Sequence, residues 1–278
     1  METTFMNQMK LRDFERLAKL VYDQSGIRLE VQKLELLQAR LRKRLKALSM
    51  DSFKEYYTFV TEDLTGMEMV KMLDCVTTNK TEFFREHQHF EHLIKNAIPA
   101  LQKNQKGDGE PLRFWSAACS TGEEVYSLAM TALEVTQGRP RVKILGTDLS
   151  TKVLAKAMTG QYEAEKIEGV PEAWLSRYFK TAGEPGKKVY RVGHQLKEVV
   201  RFSRLNLNGE VYPFQSRFDV IFCRNVMIYF DLAVQQKLVD RLSACLKPGG
   251  YLYTGHSESL LRVKHNLKGV ASSVYVKA

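Results

Sequence analysis

Apolar positions recur at helical spacing near the start of the chain. Phe14, Leu17, Ala18, Val21 and Tyr22 fall at i, i+3, i+4, i+7 and i+8, and Ser25-Gly26 supplies the turn chemistry that ends the segment. Leu34, Leu37, Leu41, Leu45 and Leu48 form a second stripe, and a third helix is expected over Ser52 to Val60 with Asp51 or Ser52 as its cap. Residues 9 to 64 thus read as short helices. Lys103-Asn-Gln-Lys-Gly-Asp-Gly-Glu-Pro111 has linker composition, and beyond it strands alternate with helices. Strands are expected over Leu112 to Ala118, Val142 to Thr147, Val199 to Leu205, Phe218 to Cys223, Tyr251 to Gly255 and Ser272 to Lys277. Helices are expected from near Gly122, from about Ser150, and after Asp231, the last closed by Pro248-Gly249-Gly250. Such alternation predicts an α/β protein with a largely parallel sheet, its final strand antiparallel because no helix precedes it. Residues 170 to 198 break the alternation; with a turn at Gly183-Glu-Pro-Gly186 and a short strand over Lys188 to Val192, they read as a small β insertion.

Composition narrows the class. With 44% hydrophobic residues in 278, the chain can bury the core of one large or two small domains without covalent staples. Cys75, Cys119, Cys223 and Cys245 are far apart and lack metal-type spacing, so they read as reduced thiols of a cytoplasmic protein. No apolar run approaches the roughly 18 residues of a membrane span. Formal net charge is +10, and residues 1 to 50 hold 11 Lys/Arg against 6 Asp/Glu. Arg40, Arg42, Lys43, Arg44 and Lys46 crowd around the second leucine stripe. That helix is amphipathic and strongly basic, which implies either a solvated helix face or an acidic partner: nucleic acid, an anionic membrane face or an acidic protein surface.

Candidate chemistry lies at strand ends, where open α/β sheets bind ligands. Phe218-Asp-Val-Ile-Phe-Cys-Arg-Asn-Val-Met-Ile-Tyr-Phe-Asp231 is an apolar strand that stops on Asn225 and then Tyr229. Trp115-Ser-Ala-Ala-Cys-Ser-Thr-Gly-Glu-Glu124 joins the first strand to its helix with small residues but without G-x-G-x-x-G. Glu123 and Glu124 there disfavour a pyrophosphate and suit a ligand bearing an amino group or sulfonium, although a helix start attracts acids in any case. Asp148, 26 residues after Gly122, stands where an acid accepts hydrogen bonds from ribose hydroxyls; it could equally cap the next helix, a task Ser150 can also perform. Among His87, His89 and His92, only the last two can be helical neighbours, too few for a metal site, so none is expected. There is no G-x-S-x-G, Walker motif or Cys/His couple, which leaves nucleophilic hydrolysis and phosphoryl transfer unsupported.

Asn79-x-Thr81-x-Phe-Phe-Arg85, Trp115 to Glu124, Gly146-Thr-Asp148, Asn206-Leu207, Phe222 to Asp231 and Gly255-His-Ser-Glu258 together resemble the CheR-type chemotaxis receptor methyltransferases, in order over nearly the whole chain. The resemblance implies a class I S-adenosylmethionine-dependent methyltransferase with a Rossmann-like, seven-stranded, mostly parallel sheet, an N-terminal helical domain and an inserted small antiparallel β subdomain. The helical domain is placed at residues 1–75 and the catalytic domain at 76–278, with the insertion at about 170–198. The implied activity is methylation of chemoreceptor glutamates to methyl esters in chemosensory adaptation. Carried over by position, the cofactor contacts are Asn79, Thr81, Arg85, Glu123, Asp148, Asn206, Leu207, Asn225 and Val226, with Arg85 and Tyr229 as catalytic residues nearest the transferred methyl. Receptor methylation segments are acidic helices, which makes Arg40, Arg42, Lys43, Arg44 and Lys46 a docking face. A receptor C-terminal tethering peptide at the β insertion is a further partner the resemblance raises, and a monomer is expected. The chemistry fits: glutamate, with a pKa of about 4.3, is ionised near neutrality and needs no general base, so positioning is the main task. The competing readings are a nucleic-acid methyltransferase and a cofactor-binding regulatory module without turnover. The first is weakened because Asn225 to Tyr229 lacks the prolines of a base-flipping motif, and the second by the joint presence of Arg85, Asp148, Asn225 and Tyr229.

Overall fold

The computed structural model describes residues 8–104, 110–139, 141–183 and 188–278. Residues 105–109 of the expected linker and 184–186 of the expected Gly183–Gly186 turn lie outside the described residues.

Four helices form the N-terminal unit: α1 (Leu11–Ser25), α2 (Leu34–Leu48), α3 (Phe53–Glu62) and α4 (Met67–Val76). The stripes bury as their spacing requires, with Phe14, Leu17, Val21, Leu37, Leu41 and Leu45 meeting Tyr56, Val60, Met72 and Leu73 in one core. Gly26, at φ 75°, ends α1 in the left-handed conformation, and the Ser52 side chain caps α3 by accepting from the N–H of Glu55. The fourth helix escaped the sequence reading.

A helical segment, α5 (His87–His92) continued through a π turn into α6 (Ile98–Asn104), leads to the sheet. Its strands and helices follow as β1 (Leu112–Ala117), α7 (Glu123–Thr136), β2 (Val142–Asp148) and α8 (Thr151–Thr159). The small sheet comes next, built from β3 (Gln161–Glu163), α9 (Ala164–Ile167), α10 (Glu172–Tyr178), β4 (Phe179–Ala182) and β5 (Val189–Val192). The main sheet resumes with α11 (His194–Val199), β6 (Val200–Arg204), β7 (Phe218–Cys223), α12 (Leu232–Cys245), β8 (Leu246–Thr254), β9 (Leu267–Ala271) and β10 (Val274–Lys277). Seven strands pair in the order β6-β2-β1-β7-β8-β10-β9. The first five are mutually parallel, and β10 runs antiparallel to both β8 and β9. From β1 the chain winds outward to β2 and β6, then returns to lay β7 on the other side. The order reverses between β1 and β7, and ligands bind at such a switch point, beyond the carboxyl ends.

Three details differ from the sequence reading. The three-stranded antiparallel sheet, ordered β3-β5-β4, takes its first strand from Gln161–Glu163, so it begins before residue 170. An extra strand, β9, pairs with β10. The helix after Asp231 stops at Cys245, and Pro248-Gly249-Gly250 lies within β8 instead of closing the helix. Pro248 cannot donate to the ladder and Gly249 sits at φ 73°, and the register of β7 against β8 shifts at this place.

Candidate active site

A cavity of about 430 Å³ opens over the carboxyl ends of β1, β2 and β7, within the size range of small-molecule sites. Its wall is shared between the sheet and the helical unit. Ala118, Ser120, Asp148, Asn225, Val226 and Tyr229 come from strand ends, while Arg28, Lys33, Leu36 and Arg40 come from α2 and the segment before it. The two parts are sewn together beside the site. Arg28 N donates to Tyr229 O at 2.9 Å, Asn206 Nδ2 to Gln24 O at 2.6 Å, and Tyr22 Oη to Asp231 Oδ2 at 2.6 Å. Asp231 also caps α12 by accepting from Val234 N at 2.9 Å.

The backbone around the cavity is held in costly conformations. Of the eight non-glycine residues at positive φ among those described, Ala118, Ser120 and Asn225 line the cavity and Phe84 and Glu86 flank Arg85. Left-handed backbone persists only where surrounding contacts hold it, and such contacts gather at functional sites.

Asp148 is buried at the tip of β2. Its Oδ2 accepts from Ser120 N at 2.8 Å and its Oδ1 from Ser150 N at 2.9 Å. Desolvation pushes its carboxyl up, opposed by the N–H groups of Ser150, Ser120 and Leu149. Ser150 itself caps α8 through Val153 N, so the cap role weighed for Asp148 falls to its neighbour. Cys119 is buried beneath the loop, its N–H bonded to Thr147 O at 2.9 Å and its thiol raised well above its usual range by burial. It acts there as a small neutral residue.

Asn79, Thr81, Arg85, Asp148, Asn206, Leu207, Asn225, Val226 and Tyr229 all line this one cavity. Arg85 donates from Nη1 to Lys80 O at 3.0 Å, and among the described residues the Tyr229 hydroxyl has no hydrogen-bond partner. Asn206 is committed elsewhere, its amide donating to Gln24 O and accepting from Asn208 N, so it contributes wall and not a free amide. Glu123 departs from expectation. It is fully buried behind the loop and absent from the lining, with Oε2 accepting from Thr121 Oγ1 at 2.6 Å and Oε1 without a hydrogen-bond partner. The first turn of a helix alternates faces, and the one that meets the cavity is Glu124.

Glu124 leads to residues the sequence did not single out. Its Oε2 accepts from Arg224 Nε at 2.8 Å; Arg224 Nη1 also donates to Arg85 O at 2.8 Å and to Glu86 Oε2 at 3.1 Å, and lies 3.0 Å from His89 Nδ1. Arg224 is thus a buried strut that fixes the segment carrying Arg85. Glu86, His89 and His256 lie close enough together to suggest a cation site. Arg224 already engages two of these three, Glu86 Oε2 and His89 Nδ1, with a fixed positive charge, and the His89 and His256 rings stack at 4.7 Å. His87 pairs with Glu91 on the surface and His92 Nδ1 meets Tyr253 Oη at 2.9 Å, so the three histidines of this segment go three ways.

The basic helix also divides. Arg44 Nε and Nη2 reach Glu68 Oε1 and Oε2 at 2.7 and 2.8 Å, with Tyr56 Oη on the same carboxylate at 3.1 Å. Arg40 donates to Val76 O and to Thr78 Oγ1 and lines the cavity. Arg44 is thus spent within the helical unit beside Leu37, Leu41 and Leu45, whereas Arg40, half-exposed, turns to the cavity. Arg42, Lys43 and Lys46 remain exposed.

Acidic groups (Glu124, Asp148) and basic ones (Arg28, Lys33, Lys80, Arg85) share the cavity. A buried acid at the second strand end, free of a glycine-rich phosphate cradle, suits an adenosyl ligand carrying positive charge. The residues present fit S-adenosylmethionine. Comparisons with known proteins bear on the family. Residues 79–276 match the family model described as "CheR methyltransferase, SAM binding domain", and residues 12–77 match "CheR methyltransferase, all-alpha domain". "Chemotaxis protein methyltransferase 2" of Pseudomonas aeruginosa is 39% identical over 96% of this chain and 93% of its own length. "Chemotaxis protein methyltransferase" of Escherichia coli is 37% identical over 94% and 89%. The protein of that same name from Borreliella burgdorferi is 36% identical over 95% and 94%. With both of its parts matched and its strand ends converging on one cavity, the chain belongs to the CheR methyltransferase family.

Proposed function

We propose that this chain methylates glutamate side chains in the cytoplasmic methylation helices of chemoreceptors, with S-adenosylmethionine as donor and S-adenosylhomocysteine as product. The observation that carries this reading is the lining of the cavity. Arg85 and Tyr229, from distant segments, face the same space as Asp148, and no histidine stands among the described lining residues. A carboxylate acceptor needs none, being ionised already near neutral pH.

S-adenosylmethionine supplies an activated methyl group whose transfer to a carboxylate oxygen leaves a neutral thioether and involves no proton. The protein's own residues bind and orient. Asp148 offers its remaining lone pairs to ribose hydroxyls; Asn79, Thr81, Asn225, Val226 and Leu207 shape the remaining wall. Arg85 orients a carboxylate, and Tyr229 borders the approach of the acceptor. Holding two reactants in line supplies roughly 7–11 kcal/mol in favourable cases, enough to be the main catalytic term here.

The helical domain at residues 1–75 and the catalytic domain at 76–278 divide the labour, the first presenting Arg42, Lys43 and Lys46 to an acidic receptor helix. A receptor C-terminal peptide adding to the small antiparallel sheet is the further partner in this reading, and the working form is a cytoplasmic monomer. Among the described residues no helix is long and apolar enough to cross a membrane. The test is incubation with labelled S-adenosylmethionine and receptor cytoplasmic fragments, with and without C-terminal tails. Base-labile methyl ester on glutamate is the expected product; cofactor binding with no ester would refute the reading.

A further inference from the structure

The turn that carries Asn225 and Tyr229 is gripped from behind by a carboxylate. Glu258 is 5% exposed, and both of its oxygens are spent on main-chain N–H groups. Oε2 accepts from Asn225 N at 2.6 Å and Gly255 N at 2.7 Å; Oε1 accepts from Met227 N at 2.7 Å and Ile228 N at 3.3 Å. The grip is itself anchored, since Glu258 N donates to Gly255 O and Thr254 Oγ1 donates to Glu258 O. Gly255 leaves it room: a Cβ there would lie 2.6 Å from Glu258 Oε2 and 2.7 Å from Asn225 Nδ2.

A buried carboxylate is an expensive way to fill space, and an apolar side chain would serve packing as well or better. What an apolar side chain could not do is accept N–H bonds on both sides of a left-handed residue. Asn225 sits at φ 58°, and the next residues enter the 3-10 turn Met227–Tyr229. Their N–H groups point away from the cavity, where no strand partner exists for them. Glu258 collects them, and so holds the backbone in a conformation it would otherwise leave.

A second carboxylate sets the side chain. Glu86 Oε1 accepts from Asn225 Nδ2 at 3.2 Å and from His256 N at 3.4 Å, while its Oε2 lies on Arg224. An ionised carboxylate only accepts, so the Asn225 amide must turn its NH₂ toward Glu86 and its Oδ1 away. Asn225 then offers the cavity an acceptor.

We propose that Glu258 is a positioning residue that, with Glu86, fixes the Asn225–Tyr229 turn before any ligand arrives, so that Asn225 Oδ1 meets a hydrogen-bond donor of the cofactor. The inference rests on the reading of Asn225 as part of the cofactor wall, and the experiment separates the two. S-adenosylhomocysteine binding is measured by calorimetry for the wild type, Asn225→Ala and Glu258→Gln, alongside KM for a receptor fragment. Glu258→Gln keeps the shape but faces an NH₂ toward backbone donors. It is expected to weaken S-adenosylhomocysteine roughly tenfold or more, the scale of a lost charge-assisted hydrogen bond, and to raise KM for the receptor fragment by much less, since only Tyr229 at the far end of the same turn borders the acceptor. A purely structural role would lower thermal stability and leave that split absent. Loss of affinity in Asn225→Ala but not in Glu258→Gln overturns the positioning role; no loss in either overturns the assignment of Asn225 itself. Should Glu258→Gln fail to fold, hydrogen exchange on the wild type decides. Protected amides at Asn225 and Met227 without ligand are expected, and amides that become protected only on adding S-adenosylhomocysteine overturn the proposal.

Discussion

Arg44 separates folding from docking on the basic helix, and its removal has a calculable cost. The Arg44 and Glu68 side chains are 18% and 3% exposed. Arg44→Ala takes two charge-assisted hydrogen bonds, at 2.7 and 2.8 Å, from a carboxylate with almost no access to water. Breaking a buried pair by deleting one partner costs about 3–5 kcal/mol, because the other charge is left uncompensated. The lower end applies, since Lys71 Nζ stays 3.7 Å from Glu68 Oε2 and the Tyr56 hydroxyl still donates to Oε1. Burial and the adjacent carboxylate push the Tyr56 phenol far above its usual range, so it remains a donor throughout. A loss of about 3 kcal/mol is therefore expected in urea unfolding followed by circular dichroism, against about 0.5 kcal/mol or less for Lys46→Ala on the exposed face. A loss under about 1 kcal/mol for Arg44→Ala, with receptor methylation reduced all the same, would return Arg44 to the docking face and refute this reasoning.

Three further outcomes are expected. Reversing two charges of the exposed set, as in Arg42→Glu with Lys46→Glu, lowers methylation of receptor fragments while S-adenosylhomocysteine affinity, read by calorimetry, stays unchanged; equal loss of both sinks the docking assignment. Tyr229→Phe lowers the methylation rate if the hydroxyl meets substrate or cofactor, and a normal rate confines the ring to packing. Burial, then the Arg224 charge, push His89 down to about 4 from 6.5, with Glu86 opposing. The folded value lies below the unfolded one, so the unfolded chain binds the extra proton between them. Stability from this group is complete above about pH 6.5 and declines toward pH 4, by roughly 3 kcal/mol at most. His89→Gln is expected to flatten that part of the stability profile, and an unchanged slope would place the titration elsewhere.

Much of the fold was legible because its signals are local. The stripes Phe14 to Tyr22 and Leu34 to Leu48 state which face of each helix is buried, and Ser52, Ser150 and Asp231 cap helices within three residues of themselves. The apolar run Phe218 to Cys223 became the central strand beside β1. What escaped lacks such a signal. β9 carries one buried residue in five and reads as loop, and β3 is three residues long, held by its pairing with β5 and by the buried Tyr162 ring, both long-range contacts. The residues that the resemblance marked line one cavity except Glu123, which is buried while its neighbour Glu124 meets the cavity, since adjacent helical positions differ by about 100° and sequence alone does not say which faces inward.

By itself the sequence determined the class of architecture, the strand ends where chemistry belongs, and a basic second helix. Periodicity, caps and strand-end polarity act over a few residues, so one chain read in order suffices for them. Only the tertiary structure decided that Arg44 is tied to a buried carboxylate, that Arg28, Lys33 and Arg40 of the helical unit form part of the cavity, and that Glu258 and Arg224 hold its walls. Those facts depend on long-range partners: Arg44 with Glu68, Arg28 with Tyr229, Asn225 with Glu258. A charged residue looks the same in sequence whether it faces water or a buried partner, and it is packing, through desolvation and hydrogen bonding, that tells the two apart.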